Sequence, residues 1–198
     1  MPDIPIRVAL MTIRHAMYWD TRIQPTIAAM SSRADRLWSW TMFRSFLPLA
    51  QKVRARRAIG YCALVRSNAG LAIPAAMSLL IETYPHLDTR EPPSAATFLW
   101  FFASAPDSAL SPLGVSPSPS LGETCLDIAI TASVNAGHRG CIGLHAAHSN
   151  LEAFYLRCGL LQLPITVSLP VARTNDGYFF YTDKSCASVL ATKYAALR

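Results

Sequence analysis

GHRGCIGLHAAHSNLEAFYLRCG, from Gly137 to Gly159, is the stretch on which the reading of this chain turns. Gly137 stops a preceding helix, because glycine is the residue that most readily takes the left-handed closing position. Cys141–Ala146 is an apolar run long enough for one strand. Ser149-Asn150-Leu151-Glu152 has the S-x-x-E form of a capping box. Leu151, Phe154, Tyr155 and Cys158 recur at spacings of three and four, which puts them on one side of the helix that follows. Gly159 ends it. The stretch therefore reads as helix end, strand, helix.

Working upstream, Ser120-Leu121-Gly122-Glu123 is another S-x-x-E, and its helix runs to about Ala136 with the small and apolar face Cys125, Leu126, Ala129, Ala132 and Ala136. Before it, Pro106–Pro119 holds four prolines and four serines in 14 residues and reads as a long loop. Thr97–Ser104 is bulky and aromatic, suited to a central buried strand. Tyr84–Ser94, with Pro85, Pro92 and Pro93, reads as a loop. Ala58–Val65 and Leu71–Ile81 flank the turn residues Ser67–Gly70 and form a hairpin, in which Pro74 requires an edge or a bulge. Residues 33–51 carry Trp38, Met42, Phe43 and Phe46 at helical spacing, with Pro48 expected to kink or end the helix. Ile6–Thr12 suits a first strand, and the remainder of residues 1–25 has no clear pattern. Downstream, Leu163–Ser168 and Tyr178–Thr182 read as strands and Lys184–Tyr194 as a helix. The alternation in the second half implies helices packed on a sheet, and no linker or repeat divides residues 1–198, so a single domain is expected.

Composition narrows the class. The chain is 52% hydrophobic and 15% charged, yet its longest apolar run, Leu71–Ile81, is half of what a spanning helix needs, about 20 residues. No basic, apolar and cleavage-site succession opens the chain, so a cytoplasmic protein without a signal peptide is expected. Cys62, Cys125, Cys141, Cys158 and Cys186 are scattered without a C-x-x-C pair, which favours free buried thiols over zinc or a disulfide framework. The net charge of +6 is uneven: residues 1–90 hold 12 basic and 5 acidic side chains, and residues 91–138 hold Glu91, Asp107, Glu123 and Asp127 with no lysine or arginine. The cluster Lys52, Arg54, Arg56 and Arg57 lacks interleaved aromatics and reads as a solvated connection ahead of a strand, with nucleic-acid binding the alternative.

The stretch from Gly137 to Gly159 resembles the GNAT superfamily of acyl-CoA-dependent N-acyltransferases, whose corresponding segment has a helix end, a strand with a G-L-H-A-like run, and a helix carrying F-Y-x-x-x-G. Leu121–Ile130 resembles the start of the family's acyl-CoA-binding helix, and Phe98–Pro106 resembles its central strand. Ala105-Pro106, Trp38-Ser39-Trp40 and Tyr178–Asp183 are similar to a subset of the family. The likeness covers roughly residues 33–183 and implies an α/β (α+β) fold with a mixed, mostly antiparallel sheet flanked by helices. One departure stands out. The family's phosphate loop, Q/R-x-x-G-x-G/A, is met here by Pro117-Ser118-Pro119-Ser120-Leu121-Gly122, which keeps the last glycine alone.

What the resemblance implies is acetyl transfer from acetyl-CoA to an amine, on a small molecule or a protein, by direct attack. Tyr155 stands where the family's general acid stands. Backbone groups near Ala103 and Ser104 would pair with the pantetheine arm, and Asn150 lies where relatives contact the cofactor. The helix tip at Leu121, Gly122, Glu123 and Thr124 offers unpaired N–H groups and a partial positive charge. Glu123 opposes an anion there, and the missing cation would have to come from elsewhere in the chain, such as Arg139 or Arg157. Glu82 is the first candidate base, followed by His148, with His145 read as a structural strand residue and His86 and His138 as loop residues. The acidic middle segment favours a cationic acceptor if it faces the cleft. Two other functions remain open: a weakly active fold relative that binds CoA or a partner, and a protein that binds RNA or DNA through its basic first half.

Overall fold

The computed structural model describes residues 6–54, 57–87, 95–116, 121–169 and 174–197. Seven strands form one sheet in the order β1-β2-β3-β4-β5-β7-β6. They are β1 (Arg7–Leu10), β2 (Ala58–Arg66), β3 (Ala72–Pro85), β4 (Ala95–Ser104), β5 (Ile142–His145), β6 (Leu161–Gln162) and β7 (Phe179–Tyr181). All neighbours are antiparallel except β4 and β5. The α/β class with a mostly antiparallel sheet is thus what the chain adopts. Pro74 lies in an interior strand, beside a register shift between Ala63 and Leu64, so the bulge rather than an edge accommodates it.

Helices cover both faces. α5 (Leu121–Asn135) lies on one, where Phe102 of β4 meets Tyr155 of α6 (Glu152–Cys158). Phe101, the next residue back, projects to the other face and packs on Trp38 and Phe43, the latter in α3 (Trp40–Arg54). The main core joins both layers, and a satellite core of Ile81, Leu87, Phe98, Leu163, Phe179 and Tyr181 sits under the β5–β7 half.

Several expectations are corrected. Residues 13–28 form α1 (Ile13–Arg22) and α2 (Gln24–Ala28), with Trp19, Ile23 and Ile27 fully buried. α3 begins at Trp40 rather than residue 33, because Asp20 of α1 caps it across the chain: its carboxylate accepts from Trp40 N–H and Thr41 N–H, each at 2.9 Å. Pro48 does not end α3, which continues to Arg54. Buried Trp40 and Leu47 anchor the turns before it.

Tyr84 and Pro85 belong to β3 rather than to a loop. The loop after β4 contains α4 (Asp107–Leu110) and a 3-10 turn at Ser111–Leu113. Extended Pro106 leads into α4, and Ala109 and Leu110 are buried. Leu163–Ser168 is not a strand. Asn175 Nδ2 donates to the carbonyls of Pro164 and Val167 and holds this segment as a turn, leaving the two-residue β6 before it.

The capping box at Ser149–Glu152 does not form. His148 Nδ1 accepts from Asn150 N–H at 3.2 Å, a 3-10 turn spans Ser149–Leu151, and α6 starts at Glu152. Gly159 closes α6 at φ +91, as the stretch requires. Ser120, the cap expected for α5, lies outside the described residues, as do Pro117–Pro119. The chain ends in α7 (Lys184–Lys193), capped by Asp183. No helix among the described residues is long and apolar enough to cross a membrane.

Candidate functional site

The site begins with a fault in strand pairing. β4 and β5 run parallel for three residues, Thr97–Leu99 beside Ile142–Leu144. β5 ends one residue later, while β4 continues to Ser104. A bulge at Trp100 also shifts the β3–β4 register, since Leu80 faces Leu99 but Leu79 faces Phe101.

The bulge reverses which residues point their main-chain groups toward β5. Before it, Thr97 N–H donates to Cys141 on the β5 side; after it, Ala105 N–H donates to Ala75 on the β3 side. By alternation, Ala103 pairs with Met77, and the N–H and C=O groups of Phe102 and Ser104 face the gap. The Ser104 carbonyl accepts from Arg33 Nη2 at 2.9 Å, which independently places it on the open side.

A cavity of about 800 Å³ fills this gap. Gly122, Asn150, Phe154, Tyr155 and Arg157 line it on the helical side, and Tyr84, Phe98, Trp100, His145 and Phe179 on the other. The turn Ser32–Asp35 closes one end. That turn is held by a buried relay: Trp19 Nε1 donates to Gln24 Oε1, and Gln24 Nε2 donates to the Asp35 carbonyl at 2.7 Å. Asp35 grips Arg33 in a two-pronged ion pair at 2.7 and 2.6 Å, the geometry that gives Arg–carboxylate pairs their directionality.

Tyr155 is 1% exposed, with its ring against Phe102, Phe154 and Phe180. Burial, reinforced by the thiols of Cys125 and Cys158, pushes its phenol well above the ordinary range, so it remains protonated. Gly122 sits close against Phe154: a Cβ there would lie 3.0 Å from Phe154 Cζ, so the ring would have to give by a few tenths of an ångström. Arg157 stacks over the same Phe154 ring at 5.8 Å, which brings a cation to the wall beside the α5 tip. Arg139 instead follows the opposite end of α5, at φ 58 in a turn.

Of the residues singled out from sequence, Ala103, Ser104, Gly122, Asn150 and Tyr155 come together on this cavity. Leu121 and Thr124 are buried behind the tip, and Glu123 turns to Lys193 at 3.6 Å. Glu82 lies off the cavity wall and pairs with Arg57 at 3.5 Å. His148 caps the 3-10 turn before α6, His138 contacts Thr83, and buried His86 contacts the Thr182 carbonyl. Asp107, Glu123 and Asp127 do not line the cavity, so the described part of the acidic segment does not face the cleft. The five cysteines are free, four of them buried.

Arg33, Asp35 and Asp176 were missed. Asp176 accepts from His145 Nε2 at 2.9 Å across 31 residues of chain. No local pattern announces that pairing, although Arg33-Ala34-Asp35 did carry an ion pair in plain sight.

No protein-family model and no curated protein matches the chain. Solved structures do match its fold. The toxin AtaT, in a tyrosine-to-phenylalanine variant bound to the C-terminus of the antitoxin AtaR and acetyl-CoA, superposes with a TM-score of 0.54 at 13% identity, over 94% of this chain and 98% of that one. AtaT complexed with acetyl-methionyl-tRNAfMet gives 0.52 at 11% identity, over 93% and 98%. An acetyltransferase of the GNAT family from Staphylococcus aureus Mu50 gives 0.52 at 14% identity, over 90% and 99%. The seven-stranded, mostly antiparallel sheet and the helices around it thus form a GNAT-like fold.

Proposed function

We propose that this chain transfers an acetyl group from acetyl-CoA to a primary amine by direct attack. The observation that carries the reading is the open edge of β4, whose Phe102 and Ser104 main-chain groups face a cavity that also meets Tyr155 and the tip of α5. An amide-bearing arm lying in that gap takes the hydrogen bonds β5 no longer supplies. The cavity volume, about 800 Å³, falls within the range of about 300–1,000 Å³ usual for ligand sites. The fold likeness to acetyl-CoA-bound AtaT supports the same donor.

The diphosphate of the donor would rest at the α5 tip, where Gly122 permits close approach and backbone N–H groups carry partial positive charge. Arg157 supplies the charge that the loop preceding α5 lacks. Asn150 contributes a polar contact from the turn before α6. The amine attacks the thioester carbon, the C–S bond breaks, and Tyr155 protonates the leaving sulfur. The buried phenol keeps its proton until negative charge develops beside it.

Calorimetric titration with acetyl-CoA, followed by thiol release on a panel of amines, tests the reading. Binding with amine-dependent thiol release is expected. Binding without release would leave a CoA-binding module, and no binding would end the proposal. An amino group carried on RNA is a second reading of the acceptor, favoured by the net charge of +6 and by AtaT's complex with acetyl-methionyl-tRNA. It predicts steeply salt-dependent RNA binding.

A further inference from the structure

The acid side of the cleft has an unexplained counterpart on the opposite face. His145 is the last residue of β5, and its ring packs on Phe179 at 4.5 Å between centroids. Tyr155 packs on Phe180 at 5.0 Å. Phe179 and Phe180 are consecutive in β7, so they project to opposite faces of the sheet. Both His145 and Tyr155 nevertheless line the same cavity. The cavity thus passes through the gap in the sheet, with the phenol on one side and the imidazole on the other.

His145 is oriented by a small closed circuit. Its Nε2 lies 2.9 and 3.1 Å from the two Asp176 carboxylate oxygens. Asp176 Oδ1 also accepts from Tyr178 N–H at 3.0 Å, and Ala146 N–H, next to His145, donates to the Tyr178 carbonyl at 2.8 Å. An ionised carboxylate only accepts, so Nε2 must carry the hydrogen and the lone pair of the neutral ring falls on Nδ1. Burial tends to raise the Asp176 carboxyl, but the Tyr178 amide and His145 together hold it below the ordinary range. It is therefore ionised at neutral pH.

The geometry points to His145, positioned by Asp176, as the general base that deprotonates the acceptor ammonium, which enters from the face opposite Tyr155. This rests on the acetyl-transfer reading above. The balance closes. R–NH₃⁺ gives one proton to His145 Nδ1; the free amine forms the C–N bond as the C–S bond breaks. The second nitrogen proton replaces, through solvent, the one Tyr155 gives to sulfur. His145 is 39% exposed at its side chain and returns its proton to water. The products are the acetamide, the free thiol and one proton. Glu82, facing Arg57 away from the cavity, has no part in this step.

The titratable groups on the elements around His145 are Asp176 and Tyr178 ahead of β7, Tyr181 in β7, Asp183 after it, Tyr84 and His86 at the end of β3, and His148 on the turn after β5. Arg33, Asp35, Tyr155 and Arg157 lie elsewhere on the cavity wall. Asp176 is the charged group in hydrogen-bond contact among the described residues.

The test compares wild type, His145→Gln and Asp176→Asn in kcat/KM against pH, with acetyl-CoA affinity and Tm measured alongside. We expect His145→Gln to lower kcat/KM by roughly 100-fold or more and to erase the acidic limb, with acetyl-CoA affinity unchanged. Asp176→Asn should lower kcat/KM at least about tenfold with acetyl-CoA affinity unchanged, because the ring loses the partner that fixes its orientation. Nitrogen NMR of the free protein gives a readout apart from activity: the Nε2–H tautomer in wild type, giving way to a mixture of tautomers in Asp176→Asn. A limb and rate preserved within about threefold in His145→Gln, or an Nδ1–H tautomer, would overturn the base while leaving acetyl transfer intact. A wild type with no turnover on any amine would overturn both. A dyad that merely tied down the 174–178 turn would lower Tm in both variants without these losses in kcat/KM.

Discussion

Gly122→Glu is the sharpest probe of where the donor's diphosphate binds. A Cβ at this position would stand 3.0 Å from Phe154 Cζ and 3.4 Å from Cε2. The ring is flanked by Tyr155 at 5.3 Å and Arg157 at 5.8 Å and borders the cavity, so its retreat would reshape the cleft. Overpacking of this kind costs about 1–3 kcal/mol, shared between stability and the shape of the cleft. The new carboxylate adds repulsion. Against two phosphate charges about 5 Å away in water-like surroundings, Coulomb's law gives about 0.8 kcal/mol each, or roughly a 15-fold loss from charge alone. With part of the steric cost, acetyl-CoA should bind about 100-fold more weakly, read by calorimetry at low salt. Gly122→Gln carries the same bulk without the charge, so the difference between the two variants isolates the electrostatic part. A Gly122→Glu protein that melts as a folded domain and still binds acetyl-CoA within about threefold of wild type would refute the placement of the diphosphate at this helix tip.

Tyr155→Phe should lower kcat at least about tenfold with acetyl-CoA affinity almost unchanged, measured by steady-state kinetics and titration; unchanged kcat removes the phenol from proton transfer. Asp20→Ala deletes the acceptor for Trp40 N–H and Thr41 N–H. Losing a cap of this kind costs about 1–2 kcal/mol, and with about 2–4 °C per kcal/mol for a chain of this size calorimetry should show Tm lower by roughly 3–6 °C. Burial pushes the thiols of Cys62 and Cys125 up to about 12, so brief iodoacetamide treatment at pH 8 should label half-buried Cys186 first, as peptide mass spectrometry would report. Because the Asp176 carboxyl is held below its ordinary range, its contact with His145 contributes at neutral pH and is lost as pH falls through that lowered value. The Tyr178 amide signal should therefore shift in acid, below the ordinary carboxylate range, as Asp176 takes up its proton.

The elements most legible in sequence were those whose signals are local. The Gly137–Gly159 stretch announced β5 and α6 because its stop glycines and its three-and-four spacing lie within one helix length. The hairpin was equally plain, and so was the long central strand. α1 was obscure because its buried positions, Ala16 and Trp19, alternate with exposed Met17 and Ile13. The start of α3 was only half legible: Ser39 Oγ is a local cap that accepts from Met42 N–H at 3.2 Å, but Asp20, which accepts from Trp40 and Thr41 N–H, lies in another helix. At the site the same division holds. Ser104, Gly122, Asn150 and Tyr155 were reachable through motifs on contiguous segments. Asp176 and Arg33 were not, since each acquires its role from a strand edge that is exposed only when the sheet is assembled. Ala103 was assigned to the gap, but one added residue at Trp100 turns its main chain toward Met77.

That added residue bears on how such a protein can change over time. A slot made of peptide N–H and C=O groups is indifferent to almost any exchange of side chain along β4, since every amino acid but proline brings the same donor and acceptor. What it cannot survive is a change in parity. Ironing the bulge into regular alternation while keeping Trp100 would aim the peptide groups of Phe102 and Ser104 at β3 and offer a different set to the gap. The chain is therefore free to drift in letters and constrained in parity here.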